Sequence, residues 1–180
     1  MRLGVASNGY RREDGYWIER ERCMNELIYP KYYRVSSGKG TSKYKLVAFD
    51  NALIDAGISN YNLVKVSSIL PIDCKQRDKI DLREGSPLMT AYATISSNIP
   101  GENIATAVAV GIPSDPHKIG LIMEYEEIGC ARHAEEVVRD MVKESMKSHG
   151  INCSRIISSS IDGIVENESF LSLVSAIILW

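Results

Sequence analysis

Residues 103–112 constrain the fold of this chain more than any other segment. They include Ala105-Thr-Ala-Val-Ala-Val110, small and β-branched residues on both faces of a strand. A strand of that kind belongs inside a layered structure, covered from both sides. The terminal run Leu173-Val-Ser-Ala-Ile-Ile-Leu-Trp180 is apolar to its last residue and predicts another strand, over 171–179, docked in a sheet. Further strands are predicted over 32–35, 61–69 (ended by Pro71), 88–95, 119–126 and 155–161. Leu46, Phe49, Leu53 and Ala56 fall on one helical face, which predicts a helix over 46–56 with that stripe buried and Gly57 as its C-terminal cap. A second helix is predicted over 131–148, with Ala134, Val137, Val138, Met141, Val142 and Met146 facing the core and Gly150 stopping it. Two helices and six or seven strands do not alternate, which argues against a doubly wound sheet. Two sheets packed face to face with helices outside would bury all of them, an α+β arrangement.

Between these elements lie segments of different character. Residues 1–30 are rich in charge, with Arg11-Arg12-Glu13-Asp14 and Glu19-Arg20-Glu21-Arg22, and read as an N-terminal extension holding at most a short helix over 18–28. Residues 31–180 read as a single domain. Ser36-Ser37-Gly38-Lys39-Gly40-Thr41-Ser42 reads as a flexible turn without P-loop spacing. Residues 73–86 read as a charged connector.

Composition excludes several function classes. The 180 residues carry a net charge of -2, so there is no basic field for nucleic acid or an anionic membrane surface. No uncharged apolar run approaches the ~18 residues that span a bilayer. The apolar part of the N-terminus is too short for a signal peptide, so the expected location is cytoplasmic. Cys23, Cys74, Cys130 and Cys153 lack metal or redox spacing and read as free thiols, and His117, His133 and His149 are scattered. No metal site is expected.

The pair Ser67-Ser68 closes the apolar run Asn62-Leu-Val-Lys-Val-Ser-Ser-Ile-Leu-Pro71. A serine held in a strained strand-end turn can attack the carbonyl carbon of the residue before it. Elimination from the resulting ester leaves an N-terminal pyruvoyl group, a ketone that no encoded side chain supplies. The dipeptide alone is no signature, since Ser36-Ser37, Ser96-Ser97 and Ser158-Ser159-Ser160 occur in the same chain.

The surroundings are more specific. Ala48-Phe-Asp50, Ala52-Leu53 and Ala56-Gly57-Ile58, followed by Asn62 through Pro71, resemble the pyruvoyl-dependent arginine decarboxylases, the archaeal members above all. The likeness continues in Thr90-Ala-Tyr92, Pro100-Gly-Glu102, Gly120-Leu-Ile-Met-Glu124-Tyr-Glu126, the helix Ala134-Glu-Glu-Val-Val-Arg-Asp-Met141 and the terminal Leu179-Trp180, roughly residues 32–180. The resemblance implies a four-layer α-β-β-α sandwich, self-cleaved between Ser67 and Ser68 into a β chain of residues 1–67 and an α chain of 68–180. It implies a trimer with active sites between subunits, and a covalent pyruvoyl cofactor in place of pyridoxal phosphate. That ketone would take the substrate amine as a Schiff base and delocalise the carbanion left by decarboxylation.

The resemblance also assigns roles. Ser68 becomes the pyruvoyl group, and Ser67 supplies the carbonyl attacked and remains beside it. Glu124 is the acid that protonates the product carbon, and a carboxyl in an apolar strand suits that role. Asn62 holds a carbonyl or an oxyanion. Asp50 pairs with the substrate guanidinium, planar and bidentate, flanked by Leu46 and Leu53. Ser59 and Tyr61 lie near the substrate but depart from the small or aliphatic residues of the family. The connector over 72–86 departs too, being more charged than its apolar, proline-rich counterpart. Decarboxylation of L-arginine to agmatine is therefore the expected activity. Action on another amino acid and an unprocessed, non-catalytic binding or scaffold subunit remain as alternatives.

Overall fold

A computed structural model describes Tyr10–Arg11, Trp17–Ile18 and residues 29–180. The chain divides into two units, Met1–Pro30 and Lys31–Trp180. In the first, β1 (Tyr10–Arg11) pairs antiparallel with β2 (Trp17–Ile18). Apart from Ile18, which lies in β2, the helix expected over 18–28 falls outside the described residues.

The second unit runs β3 (Tyr32–Ser42), α1 (Lys45–Asp55), β4 (Asn62–Lys65), β5 (Ile69–Leu70), β6 (Lys75–Gln76), β7 (Pro87–Ser97), β8 (Asn103–Pro113), β9 (Gly120–Ile128), α2 (Ala131–Ser148), β10 (Cys153–Ile164) and β11 (Phe170–Leu179). Five strands form one sheet in the order β4-β7-β11-β3-β6, and four form another in the order β10-β8-β9-β5. Two helices and two sheets make this α+β and compatible with a sandwich. Among the described residues no helix is long and apolar enough to cross a membrane.

Side-chain alternation sets the layers. In β8, Val108 and Val110 point at the other sheet and pack with Leu70 and Ile122 against Tyr33, Ala91, Ile177 and Leu179. Ala105, Ala107 and Ala109 point the opposite way, onto Ala134, Val138, Val142 and Met146 of α2. In β11, Val174, Ala176 and Ile178 pack with Ala52, Leu53 and Ala56 of α1. Both strands are thus covered on both faces, as the composition of residues 103–112 predicts for β8. Val137 and Met141, expected in the buried stripe of α2, are only partly covered.

Three expectations need correction. Residues 36–42 are no turn but the body of β3, paired along β11 from Phe170↔Ser42 to Leu179↔Tyr33. Their glycines serve close approach. A Cβ on Gly38 would strike the carbonyl oxygen of Ala52 and the nitrogen of Ala56, and one on Gly40 would lie 2.5 Å from Ala48 O and strike Ala52 N. Bare backbone there lets α1 lie directly on the sheet.

The second correction follows from the first. The buried line of α1 is Ala48, Ala52 and Ala56, joined by Leu53, whereas Leu46 is 77% exposed. Small residues on the helix meet glycine on the strand, Phe49 and Leu53 flank that contact, and Leu46, Val47 and Ile54 turn outward. The third concerns residues 61–69, which form two strands. β4 runs parallel to β7 in the five-stranded sheet, and β5 runs antiparallel to β9 in the four-stranded one.

The C-terminal end of α1 is fastened by Arg34 from β3. Its Nη2 donates to the carbonyls of Ala56 (2.7 Å) and Gly57 (3.1 Å), and its Nη1 to that of Asp78 (3.3 Å). Ser36 Oγ adds a bond to Ala56 O at 2.7 Å. A cation at a helix C-terminus also meets the negative end of the dipole. Burial pulls the guanidinium below its ordinary pKa, Tyr61 and Asp78 opposing that shift.

Gly40→Ala is expected to lower stability by about 1–3 kcal/mol through overpacking at α1. Arg34→Met is expected to cost about 1–3 kcal/mol, because it strands carbonyls at the helix end. Urea unfolding midpoints check both, and unchanged midpoints would refute the packing account.

Candidate active site

The chain changes sheets within residues 66–68. Val66 N–H donates to Thr90 O at 3.2 Å, the last tie to the five-stranded sheet. Ser68 O accepts from Ile122 N–H at 2.8 Å, the first tie to the four-stranded sheet. Between them, Ile69 N–H donates to Ser67 O at 2.9 Å. That two-residue reach closes a γ-turn centred on Ser68. Ser68 does not have positive φ, so the turn is the inverse form. The carbonyl of Ser67 is therefore polarised by a backbone donor, and the carbon that Ser68 Oγ would attack sits in a tight turn pinned at both ends. Ser68 is half-buried and Ser67 exposed.

Glu124 is brought to this turn by β9. It lies two residues beyond Ile122 on the same face, about 7 Å along the strand from the tie to Ser68. Its Oε1 is 3.5 Å from Lys65 Nζ on β4. Its Oε2 is buried without a hydrogen-bond partner. Burial pushes the carboxyl above the usual carboxylate range, Lys65 pulls it down, Glu126 raises it and the Tyr92 backbone lowers it. Lys65 is itself held, donating to Tyr92 O at 3.0 Å and lying 4.8 Å over the Tyr92 ring.

The remaining residues lie on α1, in the loop that follows it and at the start of β4. Asp50 and Leu46 are exposed on α1, and Leu53 is buried beneath it. Ser59 Oγ reaches Asn60 Oδ1 at 3.5 Å. Tyr61 packs with the α1 cluster, and its hydroxyl donates to Leu82 O at 3.4 Å. Asn62, at the start of β4, donates its amide to Gly85 O at 2.7 Å and its backbone N–H to Ser86 O at 3.0 Å. The charged connector over 73–86 is thus a clasp, and its Ile80 and Leu82 are packed against the α1 core.

The structure ties Ser67 and Ser68 to β9, the strand that carries Glu124, through Ile122, and spreads the other expected residues over α1 (Leu46, Asp50, Leu53), the loop after it (Ser59, Tyr61) and the start of β4 (Asn62). Sequence reasoning overlooked Lys65. Its signal was a lone cation in an otherwise apolar run, three residues before Ser68. Two cavities, of about 550 and 500 Å³, are lined by other residues and include none of Ser68, Glu124 or Asp50. Among the described residues no cluster of three His, Cys, Asp or Glu is arranged to hold a metal ion.

Comparison with known proteins meets this geometry. The family model described as pyruvoyl-dependent arginine decarboxylase matches residues 32–180. A Methanococcus aeolicus protein of that name is 40% identical over 151 residues, 84% of this chain and 90% of the relative. Proteins of the same name from Methanocaldococcus jannaschii (39% identity, 76% of this chain, 83% of the relative) and Thermococcus kodakarensis (42%, 67% and 77%) are also similar. A family match over residues 32–180, with a serine pair in a pinned turn tied to the strand of a half-buried carboxyl, leaves one placement: the chain belongs to the pyruvoyl-dependent arginine decarboxylase family.

Proposed function

We propose that this protein cleaves itself between Ser67 and Ser68 and then decarboxylates L-arginine to agmatine and CO2. The γ-turn at Ser68 carries the reading. Ser68 Oγ adds to the Ser67 carbonyl carbon, the peptide C–N bond breaks, and an ester links the two residues while the Ser68 amine is freed. Loss of the Ser68 α-proton expels the Ser67 carboxylate. Water then replaces the nitrogen, ammonia leaves, and residue 68 ends as the pyruvoyl group. The donor on Ser67 O is suited to the oxyanion that develops in the first step.

Strand pairing supports a cleaved yet intact protein. The β chain, 1–67, keeps β3 on β11 and β4 on β7, and the α chain, 68–180, keeps β5 on β9. Once formed, the pyruvoyl group supplies an electron sink for the carbanion left by loss of CO2. Glu124, whose charged form burial disfavours, is the acid that delivers a proton to that carbon. Asp50 pairs with the guanidinium, with Leu46 and Leu53 along the aliphatic part and Ser59 and Tyr61 at the border of the pocket. Asn62 has a second amide N–H for a carbonyl or oxyanion.

Asp50 lies on a helix covering the outer face of one sheet, while Ser68 sits at the switch between sheets. That placement supports a site completed between subunits, in the trimer of αβ protomers that the family resemblance implies. Exposed Leu46, Val47 and Ile54 on α1 offer apolar surface to a neighbour. Residues 31–180 form the decarboxylase domain.

Mass measurement of the denatured protein is expected to show two fragments split after Ser67, the larger ending in a ketone. A single 180-residue species would refute self-processing. Ser68→Ala is expected to stay uncleaved and inactive. Asp50→Asn is expected to process normally and raise KM for arginine about tenfold or more, the loss of a charged bidentate partner. Better turnover of lysine or ornithine than of arginine would overturn the substrate.

Glu124→Gln is expected to process and to turn over about 100-fold or more slowly. Because the acid must be protonated, activity is expected to fall as pH rises through the pKa of Glu124, above the ordinary carboxylate range. A pH–rate profile without that limb would remove Glu124 from the role.

A further inference from the structure

Lys65 sits on β4, the edge strand of its sheet, where a lysine ordinarily guards against edge-to-edge pairing. Such a lysine points into water and touches nothing. This one is tied at three points: the Tyr92 carbonyl at 3.0 Å, the Tyr92 ring at 4.8 Å and Glu124 Oε1 at 3.5 Å. We propose that Lys65 is the positioning residue of the acid, clamping Oε1 of Glu124 so that the transferable proton is carried on Oε2. The proposal rests on the reading of Glu124 as proton donor.

The surroundings of Glu124 leave few other influences. From β4 it meets Lys65, from β7 Tyr92, and along its own strand Glu126. Its register neighbour on β8 is Val108, which is apolar. A neutral carboxyl carries one proton on one of two oxygens. The oxygen beside an ammonium presents lone pairs to it, since an O–H there would face another positive donor. The proton then belongs on Oε2, the oxygen without a hydrogen-bond partner among the described residues. An O–H spent on no internal acceptor is free for transfer. The clamp thus selects an oxygen as well as a rotamer.

The same cation opposes burial and holds the carboxyl below the pKa that burial alone would set. Replacing Lys65 by methionine keeps the length of the side chain and removes the charge. Glu124 should then titrate higher, and its proton can sit on either oxygen. An arginine restores both the charge and the hydrogen bond.

The deciding measurement uses the full-length Ser68→Ala chain, which isolates Glu124 from any reaction. Carboxyl-13C glutamate is followed by NMR against pH, with Glu124 assigned by its loss in Glu124→Gln. Lys65→Met is expected to raise the Glu124 midpoint by about one unit, the scale of a nearby opposite charge, and Lys65→Arg to restore it. In the processed enzyme Lys65→Met should lower kcat about tenfold or more with little change in KM, and Lys65→Arg should recover most of it. An unmoved Glu124 titration in a folded Lys65→Met chain overturns the proposal alone. Normal turnover by Glu124→Gln overturns the acid reading and the proposal with it.

Discussion

The site depends on one backbone constraint, a chain that leaves one sheet and enters another within three residues. Val66 is still bonded to β7, and the carbonyl of Ser68 is already bonded to β9. Facing sheets lie ~10 Å apart, so so short a bridge has little freedom. It takes the i→i+2 bond from Ile69 to Ser67 because few other turns fit. Rigidity on both sides matters for chemistry at a peptide bond. A nucleophile within one residue of its target gains only if the geometry is kept, and here two ladders keep it. The same ladders would hold both new ends if the bond were cut as proposed.

The second feature, a carboxyl whose pKa burial raises, comes from the layer order. Even-numbered positions of β9 face the opposite sheet, and Ile122 fills that interior. Glu124, one step further along that face, lies where the interior thins toward the edge strand β4. It is buried enough to disfavour its charge and close enough to Lys65 to be oriented. Further inside, a lone carboxyl would need a full set of partners, and further out it would titrate like any surface acid. The edge of a sandwich offers the intermediate condition.

Much of this was legible in the sequence where the signal was local. The two helices, the doubly covered β8 and the docked β11 all carry their pattern in adjacent residues. Gly38 and Gly40 were misread because glycine between serines has the composition of a turn, while its use here, contact with Ala48, Ala52 and Ala56, joins separate elements. Residues 61–69 read as one strand because a switch of sheets leaves the apolar pattern intact. Lys65 was passed over because its meaning lies in Glu124 and Tyr92, 59 and 27 positions away along the sequence.

The helix α1 shows how a packing choice becomes a functional one. A helix normally buries its largest apolar side chains. Here glycines in β3 let the alanine stripe make the contact, and the backbone of α1 comes closer to the sheet than leucines would permit. The large residues are displaced to the other side, so Leu46, Val47 and Ile54 stand exposed beside Asp50. An acid among apolar side chains on an outward face suits a cationic group on an aliphatic stem, the chemistry of an arginine side chain. The fold reserves that surface by packing its smallest residues inward. Mutating Gly38 or Gly40 would therefore disturb Asp50 from the opposite side of the helix, without touching it.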